Sequence, residues 1–278
     1  MMSLQDNAAV MDGDSIAMPQ DNDNIIDVDF GVAGDSDAAE KAMHGNLVYD
    51  MAEEESEGEL PPDPEVYEAA RRIDEERWFY RFAKRAFDIV FSLTVLVLFC
   101  WLFAIIAIAI KIDDPKGPVI FKQERVGKNG SRFMMWKFRS MYSDAESRLD
   151  ELMMLNEKTG PVFKIARDPR ITRVGRIIRK LSLDELPQFI NCLGSRISIV
   201  GPRPSLPREV AQYSERQNQR LLVKPGITCY WQTRLDRDRI TFDGWVDLDL
   251  LYIKQCGIFA DFRQIVKTVF VVLTAQGN

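Results

Sequence analysis

From Ile89 to Ile110 the chain carries 22 consecutive residues without a charge, and no other feature limits its folding so strongly. As one helix rising 1.5 Å per residue the run would reach about 33 Å, enough for a bilayer core of about 30 Å. A helix that long and apolar all round is too much for the core of a small domain. The run is therefore expected to insert into a membrane. Lys84 and Arg85 precede it, and Lys111, Lys116, Lys122 and Arg125 follow it. A crossing helix gathers Lys and Arg on its cytoplasmic flank, so near-symmetry points to a helix that enters and returns, with both ends cytoplasmic. The run holds no proline that would kink it. A straight span, with the N-terminal segment outside, is the alternative.

The formal charge of −6 is unevenly spread. Residues 1–66 hold 18 Asp and Glu against the single Lys41, a net of −17, while the remainder carries 35 Lys and Arg against 24 acids, a net of +11. Few apolar groups and strong self-repulsion predict a disordered acidic tail over 1–65. No basic start or early apolar core marks a secretory signal. Residues 66–110 form a basic juxtamembrane helix and the inserted helix, and 111–278 a catalytic domain.

Within that domain the patterns are short and mixed. Strands are expected at Val119–Gln123 and Phe133–Phe138 around the turn Gly127-Lys128-Asn129-Gly130. Ser143-Asp144-Ala145-Glu146 reads as a capping box opening a helix to about Asn156, with further helices over about 185–193 and 207–222. Phe262, Ile265, Val266, Val269, Phe270 and Leu273 share one helical face, suited to core packing or, alternatively, to a membrane surface. The fold class is α+β, mainly helical: a small catalytic domain with short strands, one inserted helix and amphipathic interfacial helices.

The only histidine, His44, lies in the acidic tail, and Cys100, Cys192, Cys229 and Cys256 form no closely spaced metal pair. Chemistry in the folded part must run on carboxylates, Lys, Arg, Tyr or Cys, and any metal must be a hard, oxygen-bound ion. The densest polar stretch runs from Asp168 to Pro204. Arg173, Arg176, Arg179 and Lys180 fall at helical spacing, a stripe suited to a polyphosphate, to an anionic membrane or to plain solvent. Asp184 and Glu185 follow. Ser182 and Glu185 can form a capping box, but Pro187 would then fall inside the helix, whereas with Asp184 as N-cap it falls in the tolerated first turn. A helix N-terminus and nearby Arg179 should keep a carboxylate ionised, ready to attack phosphorus or to hold magnesium. On spacing alone, capping and catalysis are equally good accounts of the pair.

Taken in order, these residues resemble the bacterial sugar transferases, the monotopic phosphoglycosyl transferases. The resemblance covers roughly Arg81 to Leu273. It rests on Lys84-Arg85-x-x-Asp88, Gln123-Glu124-Arg125-Val126-Gly127, Lys137-Phe138-Arg139-Ser140-Met141, Asp168-Pro169-Arg170, the Ser182 to Gln188 block, Gly201-Pro202-Arg203-Pro204, Lys224-Pro225-Gly226-Ile227-Thr228 and Leu248-Asp249. It implies transfer of a hexose 1-phosphate from a UDP-sugar to undecaprenyl phosphate with release of UMP, priming exopolysaccharide or other glycan synthesis. Asp184 would be the nucleophile and Glu185 the ligand of Mg2+. Lys137, Arg139, Arg179, Arg203, Arg237 and Asp249 would surround the substrate phosphates, and Lys84, Arg85 and Asp88 would position the membrane helix. The inner membrane, with the catalytic domain on its cytoplasmic face, is the implied location, and a homo-oligomer is left open.

The chain departs from the family pattern in three places. Its apolar run lacks the usual Ser-Pro break, near Cys100-Trp101. Ser195-Arg196-Ile197-Ser198 replaces an acidic residue with Arg196. The usual Ser-Gly-Arg is here Thr233-Arg234-Leu235-Asp236-Arg237-Asp238-Arg239, with Arg237 the counterpart arginine. Gly160-Pro161-Val162-Phe163-Lys164 is similar to the branch handling glucose or galactose phosphates. A non-catalytic membrane adaptor in polysaccharide export is the rival reading. Nucleic acid is not an expected partner, because the long apolar run and the absence of an aromatic-basic repeat oppose it.

Overall fold

A computed structural model describes residues 60–157, 160–163, 165, 167–237 and 239–274. The acidic tail up to residue 59, Lys164 and Asp238 lie outside the described residues, and the expectations made of them with it. Helix α1 (Pro64–Glu75) opens with Asp63, whose side chain accepts from Glu65 N, and with Pro64 in the first turn. It ends before Arg77, so the basic juxtamembrane stretch expected ahead of the apolar run is divided between two helices. The second, α2 (Trp78–Leu98), meets α3 (Cys100–Asp113) at Phe99 with a bend of 61°.

No single described helix is long and apolar enough to cross a membrane. The bend arises without proline. Phe99 leaves the helical region (φ −103°, ψ 11°), while its carbonyl accepts from Leu102 N and Phe103 N, so backbone polar groups stay paired through the turn. Packing holds the two arms at their separate angles. In α2, Asp88 is buried and accepts from Ser198 Oγ (3.0 Å) and Ile199 N (2.9 Å), and Arg85 donates to the carbonyls of Cys192 and Leu193. In α3, Ile106 and Ile110 join Phe138 and Ile178 in a small apolar core.

The strands β1 (Ile120–Val126) and β2 (Arg132–Phe138) form an antiparallel hairpin, close to expectation. Beyond it, residues 143–148 form turns, and only α4 (Leu149–Leu152) is helical before a 3-10 turn at Met153–Leu155. The capping-box helix fails there because Asp114 Oδ2 accepts from Ser143 N at 3.2 Å, drawing the segment to the end of α3. Helix α5 (Arg173–Lys180) is capped by Thr172, and α6 (Gln188–Leu193) starts after Pro187. The short strand β3 (Ser198–Val200) leads to α7 (Pro207–Val210) and α8 (Glu215–Asn218), then a 3-10 turn at Gln219–Leu222; the single helix expected over 207–222 is broken at Ser214, which caps α8. Strand β4 (Gly226–Thr228) pairs in parallel with β3.

Helix α9 (Phe242–Gln255) supplies the largest part of the core, with Val246, Leu250 and Ile253 fully enclosed. In α10 (Ile258–Leu273), Asp261 and Gln264 face inward and Ile265 packs on the core. Phe262, Val266, Val269, Phe270 and Leu273 are exposed, so most of the apolar face expected to pack inside does not. Within a helix the polar positions 261 and 264 occupy the inner face because Asp261 accepts from Tyr80, Tyr252 and Lys84, and Gln264 donates to Cys229 O.

Candidate active site

The hairpin builds the first wall of a cavity of about 1020 Å3. Its register sets Phe121 opposite Lys137, Gln123 opposite Met135 and Arg125 opposite Phe133. Paired residues of an antiparallel ladder share a face, which is why Phe121, Gln123, Arg125 and Lys137 all line the same space. The second wall is the stretch from α5 to α6. Ser182 sits in the left-handed region (φ 54°), a conformation costly for a residue with a Cβ, and reverses the chain after α5. The following 3-10 turn Leu183–Glu185 places both acids in the wall. Asp184 is only 8% exposed.

The expected helix N-terminus at Asp184 is therefore absent, and with it the dipole expected to keep the group ionised. Burial pushes the Asp184 carboxyl up to about 6, against the pull of Lys137 and with the push of Glu185 beside it. For Glu185 burial acts in the same direction, but Lys137 and Arg203 overcome it and hold its carboxyl below the ordinary range. Lys137 Nζ donates to Glu185 Oε1 at 2.9 Å. The two acids are thus driven apart in proton affinity, with Asp184 the more basic.

The sequence stripe on α5 divides. Arg179 lines the cavity, whereas Arg173, Arg176 and Lys180 are exposed away from it. Arg203 and Arg237 also line the cavity. Neither Arg179 nor Arg203 has a carboxylate partner among the described residues; the Arg203 guanidinium lies 5.8 Å from the Trp231 ring centroid. Arg237 donates to Gln232 O.

Two expected phosphate contacts are otherwise engaged. Asp249 is 0% exposed, lies outside the cavity wall and is ion-paired with Arg220, so it is a buried support. Arg139 reaches the wall, yet its guanidinium is buried on the carbonyl and carboxylate of Asp114. It ties β2 to the end of α3 rather than waiting for an anion. Lys84, Arg85 and Asp88 likewise face inward: Lys84 pairs with Asp261 at 2.7 Å, and the other two bind the α6–β3 segment. Their positioning of α2 is exerted through the domain.

Residues given no role from sequence complete the cavity. Arg125 donates to Pro204 O at 3.0 Å, and Arg170 is paired with Asp168 and lies 5.2 Å from the Phe163 ring. Both belong to quoted motifs; the Arg170 pairing with Asp168 is local, but the reach of Arg125 to Pro204 and of Arg170 to the Phe163 ring is not revealed by spacing. Phe91 and Val95 of α2 and Phe99 at the bend, with Ile265, Val269 and Val272 of α10, form an apolar flank. One cavity thus joins a cationic, acid-bearing half to an apolar half, the shape of an amphipathic phosphate.

A sequence profile of the family described as bacterial sugar transferase matches residues 79–275. The chain is 44% identical over 204 residues to a galactosyl transferase, CpsE, of Streptococcus agalactiae serotype III, covering 72% of this chain and 45% of that protein. It is 40% identical over 197 residues to the UDP-glucose:undecaprenyl-phosphate glucose-1-phosphate transferase of Escherichia coli K12, covering 68% and 40%. It is 39% identical over 201 residues to an undecaprenyl-phosphate galactose phosphotransferase of Salmonella typhimurium, covering 71% and 42%. The chain spans less than half the length of these relatives.

Proposed function

The chain belongs to the bacterial sugar transferase family, and from that premise we propose that it moves a hexose 1-phosphate from UDP-glucose or UDP-galactose to undecaprenyl phosphate, releasing UMP. The observation that carries this reading is the buried Asp184 in the wall of a cavity that is cationic on one side and apolar on the other. The relatives named for galactose or glucose transfer to undecaprenyl phosphate support the substrate class.

An Asp184 oxygen attacks the phosphorus that bears the sugar, the bond from that phosphorus to the bridging oxygen breaks, and UMP leaves with that oxygen. The aspartyl phosphosugar is then attacked at the same phosphorus by an oxygen of the lipid phosphate. The bond to Asp184 breaks and the carboxylate returns. With its carboxyl near 6, Asp184 is ionised at neutral pH and more basic than Glu185. Arg179, Arg203 and Arg237 are placed to hold phosphate oxygens, and the low exposure of Asp184 limits hydrolysis of the intermediate by water. The donor suits magnesium: Glu185 is a hard, ionised carboxylate in the cavity wall. Magnesium commonly takes one or two carboxylates and completes its shell with water and substrate phosphate. When bound, it would neutralise diphosphate charge.

The bent pair α2–α3 serves as a re-entrant membrane anchor on the cytoplasmic face. Its outer side exposes Val90, Leu93, Val97, Trp101, Ile105 and Ile108, and both arms pack against the same domain. The exposed apolar face of α10 and the apolar cavity flank would then meet lipid on one side of the domain.

The test is UMP release by the purified chain with Mg2+ and undecaprenyl phosphate across a panel of UDP-sugars, together with trapping of labelled sugar phosphate on the protein. UDP-glucose or UDP-galactose should give both signals. Absence of UMP with every sugar would remove the transferase reading and favour an adaptor.

A further inference from the structure

Arg203 is the only residue from Gly201 to Ser205 that is not buried. Its neighbours are tied down on every side. Gly201 N donates to Thr228 O (3.0 Å), Pro202 O accepts from Gly226 N (2.9 Å), Pro204 O accepts from Arg125, and Ser205 O accepts from Val126 N (2.9 Å). A side-chain relay reaches the same loop from the far side. Arg220 is ion-paired with Asp249 and donates to Tyr213 OH at 3.1 Å, and Tyr213 OH donates to Ser205 Oγ at 2.7 Å.

We propose that the buried Asp249–Arg220 pair is a positioning device for Arg203, acting through Tyr213 and Ser205, so that none of the three residues Asp249, Arg220 and Tyr213 touches substrate. The inference rests on the phosphosugar-transfer reading and deepens it.

The direction of the relay follows from donor chemistry. A guanidinium can only donate. With Arg220 donating to the Tyr213 oxygen, the tyrosine hydrogen is turned toward Ser205, which fixes the loop at the residue two beyond Arg203. A buried ion pair is often replaceable by apolar residues without loss of stability, so stability alone gives little reason for Asp249, with none of its surface exposed, in the middle of α9. The same helix supports Arg203 a second way. Trp245, one turn before Asp249, stacks on Trp231 with centroids 4.3 Å apart, and Trp231 carries the Arg203 guanidinium on its ring. The relay and the stack hold one cation against one wall of the cavity.

Tyr213→Phe deletes the hydroxyl at the centre of the relay and keeps the ring, so it avoids the unpaired buried charge that Asp249→Asn or Arg220→Ala would leave. A double-mutant cycle with Arg203→Ala reads the coupling. Misplacing a cation by about 1 Å can cost up to about a hundredfold. Tyr213→Phe should lower kcat/KM for UMP release between about ten- and a hundredfold in the parent chain, and weaken UDP binding by calorimetry. In the Arg203→Ala background the same change should alter either quantity by less than about twofold. UDP binding remains readable where turnover is lost. Equal losses in both backgrounds, or a lowered melting temperature with unchanged kcat/KM, would overturn the relay. If the unsubstituted chain neither releases UMP nor binds UDP, it is the transfer reading that fails.

Discussion

Lys137 Nζ stands 2.9 Å from Glu185 Oε1, joining the end of strand β2 to the two-acid turn that follows α5. Side chains on both sides of this contact are largely enclosed, 18% and 20% exposed. The lysine therefore acts on both acids in a setting where charge is weakly screened, drawing Asp184 and Glu185 toward their ionised forms.

Replacing Lys137 by Met should reduce kcat/KM for UMP release by about 10²- to 10³-fold, the usual effect of removing one stabilising donor from a site. The pH profile should also move. In the parent chain Asp184 must be ionised to attack, so kcat/KM should be level above about 6 and fall as pH drops through that value. Removing the cation raises both carboxyls, so the acid limb of the variant should lie at higher pH. An acid limb that stays in place would mean that Lys137 does not govern the Asp184 proton.

Asp184→Asn should abolish turnover and the trapped intermediate while raising thermal stability at pH 7.5. Burial raises the folded-state Asp184 carboxyl above its ordinary 3.8 to about 6, so folding favours the protonated form. That contribution is fully present below about 3.8 and is lost as pH rises through about 6. At pH 7.5 the ionised group weakens the fold, and an uncharged amide removes the burden. A gain of about 1 kcal/mol is a rise of about 2–4 °C in a chain of this size. The gap in melting temperature should narrow as pH is lowered from 7.5 toward 4. A stable variant with near-normal turnover would exclude Asp184 as the nucleophile.

Gly175 is the contact that seats α5 against the end of the hairpin. A Cβ built there would lie 1.9 Å from the Ser140 carbonyl oxygen, and neither backbone can move without shifting Arg179 or the segment after Lys137. Gly175→Ala should cost about 1–3 kcal/mol, the usual range for overpacking, and reduce UMP release with it. Gly194→Ala is the comparison, because its nearest neighbour would be at 3.5 Å. Equal melting temperatures for the two variants would show that α5 seats otherwise.

The hairpin was legible because its alternation and turn residues act locally, and the order of motifs identified Lys137, Arg179, Asp184, Glu185, Arg203 and Arg237 as neighbours before any geometry. Sequence spacing could not separate Arg179 from Arg173 and Arg176, since the division depends on what α5 packs against. Asp249 shared the motif but not the cavity. Its partner Arg220 lies 29 residues earlier, a pairing no local pattern encodes. The near-symmetric basic flanks point to a helix that enters and returns, and the resemblance puts the break near Cys100-Trp101; no proline marks it, because tertiary contacts on the two arms set the angle at Phe99. Periodicity leaves the apolar face of α10 open between core packing and a membrane surface, and it does not reveal that Asp261 and Gln264 find buried partners, which turns the polar side of that helix inward.

A re-entrant membrane topology is the last prediction, and it is drawn from those two arms. For a straight span the ends of the apolar run would lie on opposite sides of the bilayer. Yet Asp88 and Arg85 at one end bind the α6–β3 segment, and Ile106 and Ile110 near the other pack on Phe138 and Ile178. Crossing would strip one arm from the domain, exposing either a buried carboxylate or an apolar core. Glu76→Cys, just before α2, and Lys116→Cys, just after α3, each in a Cys100→Ser background, place a thiol at each end of the pair. With both ends cytoplasmic, a membrane-impermeant maleimide should label neither in intact cells and both after lysis. Labelling of the residue 76 thiol alone in intact cells would establish a span, and would require the Asp88 contacts to be broken in the membrane.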